Sequence, residues 1–83
     1  MTPEEMDVLL VTIRSVPVAV RALEVAAEAV DNGYVDEAVD LLRDAAEVVI
    51  DEHPMLLVSV PTLQAIMGAI VGGMRATQHP YGT

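Results

Sequence analysis

The sequence predicts an all-α fold, a small bundle of about four helices with a central antiparallel hairpin, and three observations carry that reading. Apolar residues recur at spacings of three and four along most of the chain. A capping box, Thr2-Pro3-Glu4-Glu5, stands at the start, with a Thr N-cap, Pro at the first helical position and Glu at the third. Breaks suited to helix ends fall at Pro17, Asn32-Gly33 and His53-Pro54. The expected helices are 3–15, 17–31, 35–52 and 61–75.

In the first of these, Met6, Leu9, Leu10 and Ile13 lie at i, i+3, i+4 and i+7, one apolar face. Pro17 ends the helix, because the residue before a proline, Val16, is driven towards extended geometry. The same Pro17 suits the first position of the second helix. Asn32-Gly33 closes that helix with a left-handed cap and a tight turn. The third helix repeats Ala38, Leu41, Leu42, Ala45, Val48 and Val49 on one side before His53-Pro54 stops it. So short a link between helices two and three makes them an antiparallel pair.

Beyond Pro54 the chain changes character: residues 54–74 contain no charge. Pro61 is expected to open the fourth helix, with Leu63, Ile66, Met67, Ile70 and Met74 on one face. Ala65, Gly68, Ala69, Gly72 and Gly73 cover another side with almost no bulk. Residues 55–60 fit a helical turn or an extended piece equally well. Ser15-Val16-Pro17 recurs as Ser59-Val60-Pro61, forty-four residues on, either a duplication or a shared way of starting a helix.

At 83 residues the chain is one domain, expected over 1–76, with 77–83 as a flexible C-terminal tail. A chain of this length buries only about 60–65% of the surface its unfolded form exposes. Without cysteine no disulfide can add to that core, so packing or self-association must. Fourteen Val, eleven Ala, no Lys and four cations that are all Arg suggest a GC-rich genome, a bacterium or its phage. Acids stand where the basic start of a secretory signal would be, so a cytoplasmic setting is expected. The net charge of −9 argues against a direct nucleic-acid binder, which works by neutralising phosphates. With Tyr34 and Tyr81 as the only aromatics, stacking platforms for bases are excluded too.

The acidic stripe says most about partners. Asp36, Asp40, Asp44, Glu47 and Asp51 fall at offsets 0, 4, 8, 11 and 15, so they line one face of helix three. Glu24, Glu28 and Asp31 add a ridge on helix two, and between Glu24 and Glu52 ten acids meet one base, Arg43. Like charges at i, i+4 cost roughly 0.2–0.5 kcal/mol per pair. Such a stripe is either an ordinary solvated face or a patch that steers a basic protein partner. As a copy of DNA it is thin: about one net charge per 4 Å of helix, from the 1.5 Å rise, against one per roughly 1.7 Å of duplex.

The hairpin from Arg21 to Pro54 resembles a single tetratricopeptide repeat. Gly33, Tyr34, Asp36-Glu37-Ala38-Val39, Leu42 and Ala45 sit much as that family's turn and second-helix core positions do. The resemblance spans about 34 residues and implies two antiparallel helices. Ala22 and Ala29 stand where the family carries large aromatics, and the closing proline, Pro54, falls late. A single repeat does not build the family's concave peptide groove.

Chemistry has little to stand on, and no catalytic residue, cofactor or metal is expected. Asp51-Glu52-His53 offers metal-ligand types, but adjacent helical residues point about 100° apart and do not converge on one ion. No phosphate loop and no Ser–His–acid set stands at a recognisable spacing. Neither Ser15 nor Ser59 lies in the Asp-Ser-Leu context of a carrier domain's attachment serine. The uncharged run 55–74 has the length of a membrane span and contains Gly68-x-x-x-Gly72, yet Pro61 and Gln64 interrupt it. A helix buried on all sides accounts for it better, and a small bundle would need a second copy to bury it.

These readings converge on a non-enzymatic protein–protein interaction module: an adaptor, inhibitor or regulator. It is expected to form a homodimer or higher homo-oligomer through Leu63, Ile66, Gly68, Ile70 and Gly72. Its displayed face for a basic partner is Asp36, Asp40, Asp44, Glu47 and Asp51. The alternatives are a DNA-mimic inhibitor of a DNA-binding protein and a small membrane-active protein spanning with residues 55–74.

Overall fold

A computed structural model describes residues 2–78, with side chains through Arg75, and among these residues the chain is helical without strands. Helix α1 runs Pro3–Ser15, α2 Pro17–Asp31, α3 Val35–Glu52 and α4 Val60–Gln78, with a single 3₁₀ turn at Pro54–Leu56. The N-cap forms as its residue type requires: the Thr2 hydroxyl accepts from the Glu5 N–H at 3.2 Å. Val16 is extended, at φ −101° and ψ 107°, and so separates α1 from α2 in one residue. Gly33 takes φ +85°, where a Cβ is strained, and lets the Tyr34 N–H reach back to the Ala29 carbonyl at 2.8 Å.

The Ser-Val-Pro echo is not a structural repeat. Ser15 finishes α1, its hydroxyl donating to the Thr12 carbonyl at 2.7 Å. Ser59 starts α4 instead: its hydroxyl accepts from the Thr62 N–H at 3.3 Å and donates to the Thr62 hydroxyl at 2.8 Å. Val16 is correspondingly extended, whereas Val60 is the first residue of its helix.

Among the described residues, sixteen apolar ones form one buried core that contains no polar or charged side chain. Seven of them are alanines, all on α2 and α3, so these two helices approach closely but each contact removes little apolar area from water. The bulk comes from elsewhere: Ile13 of α1, Val49 of α3, and Leu63 and Met67 of α4 are the largest side chains fully enclosed. Helix α3 packs against both α2 and α4, while the main helical partner of α1 is α2. The hairpin expected from its tight turn is the centre of the bundle.

Helix α4 departs from expectation in three ways. It extends to Gln78, so residues 77 and 78 are helical and not part of a tail; residues 79–83 lie outside the described residues. The run 55–74 is not one segment, because residues 57–59 follow the 3₁₀ turn without helical structure. Nor is α4 buried all round. Leu63, Met67 and Val71, spaced by four, are enclosed, whereas Ala65, Ala69, Gly72 and Gly73 on the opposite side face solvent. Three helices on one side cannot cover the far side of a fourth. Among the described residues, no helix is long and apolar enough to cross a membrane.

Candidate functional site

Two surfaces stand out, one charged and one apolar. The charged one is built on α3. Ala38, Leu42, Ala45, Ala46 and Val49 bind that helix to the core, which fixes its rotation. Asp36, Asp40, Asp44, Glu47 and Asp51 therefore project on the opposite side, and all five are exposed. Glu37 and Glu52 are exposed beside them, so the helix displays seven acids and one base. That base, Arg43, lies 3.4 Å from Asp40, an exposed i, i+3 pair of the kind worth roughly 0–1 kcal/mol. On α2, Glu24, Glu28 and Asp31 are exposed, and Asp31 receives the Arg75 guanidinium of α4 at 2.7 Å. The expected acidic ridges are both on the surface, and an ion pair ties the second of them to α4.

The residues expected to drive self-association divide. Leu63 is completely buried in the single chain, so it belongs to the bundle core and offers nothing to a partner. Ile66 and Ile70 are half-buried and pack on that same core. Gly68 and Gly72 differ: each lines a shallow apolar groove with Val35, Val39 and Val71, and Gly72 is exposed. A Cβ added at Gly68, Gly72 or Gly73 would meet no atom within 4 Å. Close packing inside the chain therefore does not require these glycines, although each costs roughly 0.5–1 kcal/mol relative to alanine in a helix.

The second surface escaped the sequence reading. Met55 and Leu57 are 87% and 92% exposed, the most exposed large apolar residues of the described chain. Leu57 adopts a left-handed backbone at φ +51°, ψ +39°, a strain on the order of 1 kcal/mol for a residue with a Cβ. On α1, Val8 lines a groove with them, and both Val8 and Val11 expose their side chains. Hydropathy alone files 55–58 with the apolar fourth helix. The signal that could have separated them is the bracketing of the run by Pro54 and the Ser59-Val60-Pro61 cap.

Asp51-Glu52-His53 is a helix end: Asp51 and Glu52 are exposed, and the His53 N–H donates to the Val49 carbonyl at 2.9 Å. Among the described residues, no three of His, Asp and Glu are grouped as a metal site. The chain matches no protein-family model, and neither curated proteins nor solved structures contain a significant relative.

Proposed function

We propose that the protein is a protein–protein interaction module whose acidic α3 face meets a basic partner. The observation that carries this is the arrangement of charge: five acids aligned opposite the core, with a single arginine on the same helix. A solvated face needs charge of either sign, and mixed signs would add favourable i, i+4 pairs where this helix accepts repulsive ones. One-signed charge raises the association rate with an oppositely charged surface. Affinity capture from cell extract compares the protein with an Asp40→Asn/Asp44→Asn/Glu47→Gln variant. A partner released by moderate salt and lost from the variant is expected; the same proteins on both return the face to simple solvation. Release of that partner by duplex DNA would make the protein a DNA mimic.

Self-association through the small face of α4 is the second part of the proposal, supported by Gly68 and Gly72, where an added Cβ would meet no side chain of the same molecule within 4 Å. Sedimentation at micromolar concentration is expected to show a homodimer, and Gly72→Leu to convert it to a folded monomer. A monomeric parent protein removes this part and leaves the first standing.

A further inference from the structure

A groove at one end of the bundle is lined by apolar side chains of α1 and the 55–58 loop together with Glu5, Ser59 and Thr62. Val8 and Leu9 of α1 form one wall, Met55, Leu57 and Val58 the other, and Glu5 stands among them. It encloses about 490 Å³, within the roughly 300–1,000 Å³ typical of ligand-sized clefts. Its apolar side chains project although the chain has shelter to offer, since Leu56 and Val58 of the same loop pack on the core while Met55 and Leu57 point away. Glu5 is the one charged residue of the lining, Glu4 precedes it in the first turn of α1, and Asp51 and Glu52 end α3 shortly before the loop in the chain.

We infer that this groove is the anchoring site for a cationic amphipathic helix of another protein, whose leucine-like face seats between Val8 and Met55–Leu57 while its lysines or arginines meet Glu5, Asp51 and Glu52. The inference rests on the basic-partner reading and assigns it a second, apolar contact at the end of the acidic stripe. Helix-in-groove recognition uses apolar anchors spaced by three and four residues, and a flexible methionine at the rim adapts to their shape. A second copy of the chain is the poorer occupant, because it would bring its own Glu5, Asp51 and Glu52 against the same acids. An anionic membrane surface is repelled for the same reason.

The test uses the full chain and two synthetic peptides of about twenty residues. One carries Leu at heptad a and d positions with Lys elsewhere; the other has the same composition scrambled. The protein is expected to bind the amphipathic peptide at least tenfold more tightly than the scrambled one. Met55→Ser/Leu57→Ser is expected to lose that preference, each buried apolar side chain being worth about tenfold or more. Leu57→Gly separates binding from folding: it relieves the left-handed backbone, so thermal stability holds or rises while peptide affinity falls. Equal binding of both peptides overturns the groove yet keeps the acidic-face reading, provided the Asp40→Asn/Asp44→Asn/Glu47→Gln variant weakens both. Binding of neither peptide overturns the groove, and salt-sensitive capture by the parent protein then decides the broader reading separately. Undiminished affinity in Met55→Ser/Leu57→Ser overturns the groove as well. So does a change in sedimentation in that variant, which would identify a second copy as the occupant, or its loss of binding to phosphatidylcholine vesicles, which would identify a membrane.

Discussion

Helices α3 and α4 are nearly equal in length, 18 and 19 residues, and each buries a stripe whose members recur at three or four. Their outward faces are opposites. Opposite its core stripe α3 carries Asp36, Asp40, Asp44, Glu47 and Asp51, whereas α4 carries Ala65, Ala69, Gly72 and Gly73. The contrast teaches that the inner face of a helix says where it sits in the bundle, and the outer face says what it is available for. Water solvates the α3 face fully. The α4 face offers water almost nothing to hydrogen-bond, and its glycines lower the stability of the helix that bears them. Packing joins the two helices, with Leu63, Met67 and Val71 seated against the core, and the Gln64 amide donates to the Val39 carbonyl at 3.0 Å.

The inner faces can be broken first, with the largest effect. Leu63→Ala leaves a cavity in the bundle and is expected to cost about 3 kcal/mol, read as a shift in the urea midpoint. For a chain of this size, with total stability of roughly 4–12 kcal/mol, that is a substantial share. If Leu63 lay instead in a subunit contact, the loss would depend on protein concentration.

Removing a cap tests the sequence's clearest local signal. Thr2→Ala is expected to cost about 1 kcal/mol in the same assay, because the Glu5 N–H loses its acceptor. No change would mean that α1 frays at its start without consequence for the bundle.

The outer face of α4 is sharpened by Gly72→Ala. In a folded single chain this substitution is expected to gain about 0.5–1 kcal/mol, since alanine favours the helix and meets no atom. In a dimer that uses the glycine for close approach, the same change weakens association. The sign of the effect, measured by thermal unfolding at two protein concentrations, separates the cases.

The smallest effect belongs to the outer face of α3. Asp44→Asn removes a negative charge flanked at i−4 by Asp40 and at i+3 by Glu47, and is expected to stabilise by a few tenths of a kcal/mol. Raising salt should yield a similar gain in the parent protein and less in the variant, because exposed charges are screened. A destabilised variant would show that the stripe contributes something to folding beyond repulsion.

Local signals along the chain place the helices and their order. Thr2-Pro3-Glu4-Glu5, Val16-Pro17 and Asn32-Gly33 act through contacts within five residues, so local chemistry suffices to place them. The sequence likewise settles which residues of α3 face out, because one strong apolar stripe leaves a single rotation open. The remainder depends on packing between helices. Helix α4 is apolar on most sides, so its sequence allows many rotations, and packing against α2 and α3 selected Leu63, Met67 and Val71 for the interior and the small residues for the surface. Met55 and Leu57 read as core by hydropathy, yet the path between Pro54 and the Ser59 cap leaves them outside. Burial is a property of where a side chain ends up among the others, and a residue's own hydropathy states only the cost of leaving it in water.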